Sequence, residues 1–138
     1  MPLFEQVLDK YPDSVKVVFK HYPLAFHKQA LPAAFASMAA GEQGKFWEYH
    51  DELFLHQSSL STEKYTEIAQ NMGLDLKAFS LDMMRPSIRK KIEQDMSDAR
   101  SAGVTGTPAI FVNGRKVKKR DIGTFSKMID SEIGKLQK

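Results

Sequence analysis

The apolar positions change period along the chain. Leu3, Phe4, Val7 and Leu8 recur at three- and four-residue steps, which predicts a helix over Pro2–Lys10. Pro2 suits the first turn, where its missing N–H costs little. Tyr11-Pro12-Asp13 stops the helix, because a residue before proline is pushed out of the helical region. VKVVF (15–19) then runs apolar and β-branched without helical spacing, the pattern of a buried strand, and His21-Tyr22-Pro23 marks its exit.

A long helical block follows. Residues 27–40 are rich in alanine and read as a helix, kinked or restarted near Pro32. Gly41 and Gly44 separate it from KFWEYHDELFLH (45–56), where Phe46, Tyr49 or His50, Leu53 and Phe54 share one face. Ser61 is placed to cap a helix running to Met72 and stopped by Gly73, and Asp75 to cap a short one through Phe79. Pro86 opens the last helix of the block, with Ile88, Ile92, Met96 and Ala99 as its core stripe and Gly103 as its end.

The pattern then shortens to that of strands. Residues 109–113 and 115–118 read as two strands joined by Asn113-Gly114, a strong signal for a two-residue hairpin whose central residues need positive φ. Charged residues alternating around Val117 suit a strand near the sheet edge. A final helix begins at Asp121 or Thr124 and turns Phe125, Ile129, Ile133 and Leu136 inward. Strands separated by helices, then a hairpin and a helix, predict an α/β fold with a small sheet. Its strands are 15–19, 109–113 and 115–118, in one domain over 1–138 that carries a helical insertion at about 27–102.

Composition narrows the function. Apolar residues at 42% and charged residues at 27% are ordinary for a globular domain. No segment approaches the roughly 18 apolar residues that span a bilayer, so no membrane partner is expected. The opening MPLFEQVLDKYPD lacks the basic-then-apolar order of a signal peptide, so the chain as given carries no export address. Net charge is +3, with basic clusters at 85–91 (RPSIRKK) and 115–120 (RKVKKR). Neither is interleaved with aromatics, so both read as solvated faces and no nucleic-acid partner is expected; an anionic partner is the weaker alternative. The absence of cysteine excludes disulfides, thiolate nucleophiles and cysteine-ligated metals.

Other chemistry is thin. His50 beside Asp51 and Glu52 suggests a metal or a general base, but His50 and His56 are six apart and do not share a helix face. Both read as structural, His27 as a packing or capping residue where the helical block begins, and Trp47 as core. No metal and no cofactor is expected. GVTGTP (103–108) superficially resembles a phosphate loop, but it follows a helix and precedes a strand, the reverse of that motif. No serine triad is legible.

Four stretches, in order, resemble the DsbA-like thioredoxin-fold family of thiol–disulfide oxidoreductases. They are VKVVFKHYPLAFHKQA (15–30), QGKFWEYHDELF (43–54), MGLDLKAF (72–79) and GVTGTPAIFVNGRKV (103–117). The resemblance implies a thioredoxin-like fold with a helical insertion. The family's first strand and its Cys-x-x-Cys motif would lie ahead of the first helix, so this sequence lacks them. It also implies a cis-proline loop of Val104, Thr105, Gly106, Thr107 and Pro108, whose backbone at Thr107 pairs with an extended polypeptide substrate. Pro108 otherwise merely shapes the start of the strand. Family members are often extracytoplasmic; this chain's compartment is not legible.

Without cysteine no residue is assigned a catalytic role. The expectation is a body of such an oxidoreductase, redox-inactive as given. The alternative is a redox-dead module for peptide binding or self-association. A sheet lacking an interior strand leaves backbone exposed on 15–19 and 109–112, which predicts that the isolated chain forms a homo-oligomer.

Overall fold

The structure, a computed structural model, describes residues 2–137. Local chemistry sets most helix boundaries. Helix α1 (Pro2–Lys10) begins on its proline, and α2 (Ala30–Glu42) carries Pro32 in its first turn, so the proline starts the helix rather than bending it. Helix α3 (Phe46–Leu55) follows Gly44, whose φ of +75° suits glycine. The Ser61 hydroxyl accepts from the Lys64 N–H at 3.1 Å and starts α4 (Thr62–Asn71). Asp75 accepts from the Ala78 N–H at 3.0 Å and starts α5 (Leu76–Asp82). Pro86 opens α6 (Pro86–Ser101). After strands β1 (Phe111–Val112) and β2 (Arg115–Lys116), Asp121 accepts from the Thr124 N–H at 2.8 Å and starts α7 (Ile122–Leu136).

The chain divides into two compact units. One is the inserted helical stretch Lys20–Thr105. Ala36, Ala39 and Ala40 give α2 a face small enough for close helix packing, and Tyr49, Tyr65 and Phe79 fill the space beside it. The two buried phenols are satisfied: Tyr49 donates to the Tyr65 carbonyl at 2.9 Å, and Tyr65 to Gln29 Oε1 at 2.7 Å. Burial pushes both phenol pKa values up. Phe35 on α2 packs with Ile88 and Ile92 on α6, and the Arg89 guanidinium lies over the Phe35 ring.

The other unit combines residues 2–19 with 106–137. Val7 and Tyr11 pack with Phe125, Ile129 and Val117. Tyr11 donates to Asp130 Oδ1 at 2.7 Å, tying the end of α1 to α7. Strands β1 and β2 pair antiparallel, Phe111 opposite Lys116 and Val112 opposite Arg115. Asn113 (φ 47°) and Gly114 (φ 82°) make the turn.

Several expectations from sequence are corrected. Residues 15–19 join no sheet; Val15 packs on the core, but Val18 is 64% exposed. An apolar run becomes a strand only where a neighbour supplies its ladder, and the sheet of the described residues has two strands. The hairpin strands are shorter than 109–113 and 115–118 for the same reason. Leu136 is exposed because α7 runs a turn past the packed Ile133. Trp47 and Phe54 on α3 are likewise exposed, while Tyr49, His50 and Leu53 occupy its buried face. The His27 side chain is exposed, its ring against Phe26.

Candidate functional site

The cis-proline segment starts from the end of α6. Gly103 takes φ +81° and lets the chain reverse, and the Val104 N–H donates back to the Ala99 carbonyl at 2.9 Å. Val104 is thereby half-buried and fixed, whereas Thr105, Gly106, Thr107 and Pro108 are exposed. The Thr107–Pro108 peptide is cis. Among the described residues, neither the N–H nor the C=O of Thr107 has a hydrogen-bond partner.

The segment leads directly into β1, and the ladder geometry decides which backbone groups remain open. The Val117 N–H donates to the Ile110 carbonyl at 2.8 Å. In an antiparallel ladder the hydrogen-bonding residues alternate. Ile110 and Val112 therefore turn their backbone groups to β2, and Ala109 and Phe111 turn theirs to the opposite edge, which no strand covers among the described residues. Side chains alternate too: Ile110, Val112 and Val117 join the core, while Phe111 is exposed.

A groove of about 210 Å³ adjoins this edge. It is lined by Pro108, Ala109, Ile110, Lys116, Val117, Lys118 and Arg120. Sequence reasoning did not single out this groove. Its basic character was present in the run 115–120, but which of those cations line the groove depends on how the chain bends after β2.

The histidines lie elsewhere, in the helical unit. His50 is buried, its Nδ1 3.1 Å from Asp51 Oδ1. Among the described residues no group of three or more His, Asp or Glu is placed to hold a metal. His21 is buried at the start of this unit, and its backbone N–H donates to Asp95 at 3.0 Å. Desolvation lowers the His21 pKa to about 4, against the opposing pull of Asp95. Asp95, itself 1% exposed, also accepts from Lys91 at 2.7 Å. This cluster fixes residue 21 to α6 and was not foreseen, because a buried aspartate on the Ile88–Ile92 face breaks the apolar pattern.

A thioredoxin family model, Thioredoxin_4, matches residues 2–131. A thioredoxin-like oxidoreductase from Silicibacter pomeroyi DSS-3 superposes with a TM-score of 0.82 at 26% identity, over 97% of this chain and 77% of that one. The fold of DsbA from Xylella fastidiosa superposes with a TM-score of 0.72 at 20% identity, over 99% of this chain and 78% of that one. Among curated proteins, the chain is 40% identical over 116 residues to the Na(+)/H(+) antiporter NhaA 3 of Salinispora tropica, covering 83% of this chain and 18% of the antiporter. It is 34% identical over 108 residues to NhaA of Herminiimonas arsenicoxydans, covering 78% of this chain and 17% of that protein. The chain thus spans under a fifth of the length of the curated relatives it matches. With the family model running over residues 2–131 and a close superposition on a thioredoxin-like oxidoreductase, the chain belongs to the thioredoxin family, and its fold is DsbA-like.

Proposed function

We propose that this chain is the body of a DsbA-like protein thiol–disulfide oxidoreductase, redox-inactive as it stands, which keeps the surface that holds an extended polypeptide. Disulfide exchange needs a thiolate to attack sulfur and form a mixed disulfide. None of the 138 residues is a cysteine, and methionine thioethers do not do this chemistry. The observation that carries the binding half is the open edge that begins at Thr107 and continues through Ala109 and Phe111. Its unpartnered N–H and C=O groups suit strand addition, in which main-chain hydrogen bonds hold a guest of any sequence. No described helix is long and apolar enough to cross a membrane.

Titrating the ¹⁵N-labelled chain with an unstructured peptide rich in Thr and Val tests the binding half. Amide shifts should move at Gly106, Thr107, Ala109 and Phe111. Shifts confined to the helical stretch Lys20–Thr105 would count against the reading.

The exposure of Val18 favours a second reading, self-association through residues 15–19. Sedimentation should then show an oligomer that Val18→Ser weakens; a monomer at micromolar concentration refutes it.

A further inference from the structure

The two basic clusters differ in what their charges already do. In the 85–91 cluster, Arg85 pairs with Asp82 and with Glu42, Lys91 with buried Asp95, and Arg89 lies on Phe35. In the 115–120 cluster, Arg115 pairs with Glu132 at 3.6 Å, and Asp121 is engaged in capping α7. Lys116, Lys118 and Arg120 have no ion-pair partner among the described residues, and all three line the groove beside Pro108 and Ala109. Three cations with no ion-pair partner among the described residues, lining one concave site, attract an anion.

We infer that this groove makes the edge selective for acidic polypeptide: it takes Glu or Asp side chains of an extended segment paired along β1. The inference rests on the strand-addition reading above and names its substrate class. A strand added outside β1 lies two strand spacings from β2, about 9.5 Å. Glutamate and lysine side chains reaching toward each other over the sheet face cover that distance. Every second guest residue points to that face, so the preference is for acids alternating with apolar or β-branched residues.

Fluorescence anisotropy with the full chain and three labelled heptapeptides, TVEVEVT, TVQVQVT and TVKVKVT, tests this. At ~50 mM salt the Glu peptide should bind about fivefold tighter than its Gln isostere, and the Lys peptide weaker than both. The Glu preference should shrink at ~300 mM salt. It should disappear in the triple variant Lys116→Gln/Lys118→Gln/Arg120→Gln and survive Lys119→Gln, which lies outside the groove. Equal affinity for all three peptides on the unaltered chain overturns the inference and leaves strand addition standing. Binding of none overturns both. A single-stranded oligonucleotide that binds more tightly than the Glu peptide also overturns it, since the groove would then be part of a nucleic-acid surface.

Discussion

Lowering the pH from 7 to 5 should destabilise the helical unit through His21. The side chain is 5% exposed, and desolvation lowers its pKa from 6.5 to about 4. Nearby Lys91 and His50 also oppose its protonation, while Asp95 favours it. Because the folded pKa lies below the unfolded one, the unfolded chain takes up this proton first as pH falls. The stability associated with neutral His21 is complete at pH 7, declines from about 6.5, and is gone below about 4. The full shift corresponds to roughly 3 kcal/mol, and the part lost between pH 7 and 5 to about 2 kcal/mol. The carboxylates of Asp98, Asp121 and Glu132 are held below their usual range by hydrogen bonds from Gln94, Thr124 and Lys135 respectively, so their own losses fall at lower pH. Urea unfolding followed by circular dichroism at the two pH values measures the difference. His21→Gln removes the titrating group and should remove most of the pH dependence while leaving a cooperative transition. An unchanged pH dependence in that variant, or its absence in the parent chain, refutes the assignment.

Other substitutions probe the framework around the proposed edge. Asp95→Ala strands the buried His21 N–H and should cost about 3 kcal/mol by denaturant unfolding. Asp95→Asn retains an acceptor and should cost less than half of that, because the Lys91 partner is half-exposed and its pairing is screened. Gly114→Ala meets no neighbour within 4 Å but must hold φ +82°, so strain alone should cost about 1 kcal/mol and loosen the hairpin amides in hydrogen exchange.

Features set by a few neighbouring residues were legible in the sequence. Ser61, Asp75 and Asp121 cap helices where a short oxygen-bearing side chain precedes a periodic run, and Asn113-Gly114 turns the hairpin because both conformations are open to those residues. What failed depended on partners distant in sequence. VKVVF has strand composition, but composition does not supply a ladder, and the run lies outside the sheet. Phe54 and Leu136 carry the right spacing for a core face, and Trp47 the residue type, yet exposure is decided by which surface packs opposite. Asp95 was invisible for the converse reason: the His21 N–H that accounts for its burial lies 74 residues away. The loop at 104–108 was legible as a motif, whereas its open edge became visible only through the register of β1 on β2.

If these residues serve as the body of a disulfide-exchange protein, as proposed, supplying a strand and thiols ahead of α1 should give them that activity. Fusing an apolar strand and a Cys-x-x-Cys pair from a DsbA-like relative ahead of Pro2 tests this directly, because it sets the thiols at the N-terminus of α1, where the helix end stabilises a thiolate. With dithiothreitol as reductant, the folded fusion should accelerate insulin reduction, while the parent chain and a fusion with both cysteines changed to serine should stay at the dithiothreitol background. A folded fusion with intact cysteines that also stays at background would contradict the account.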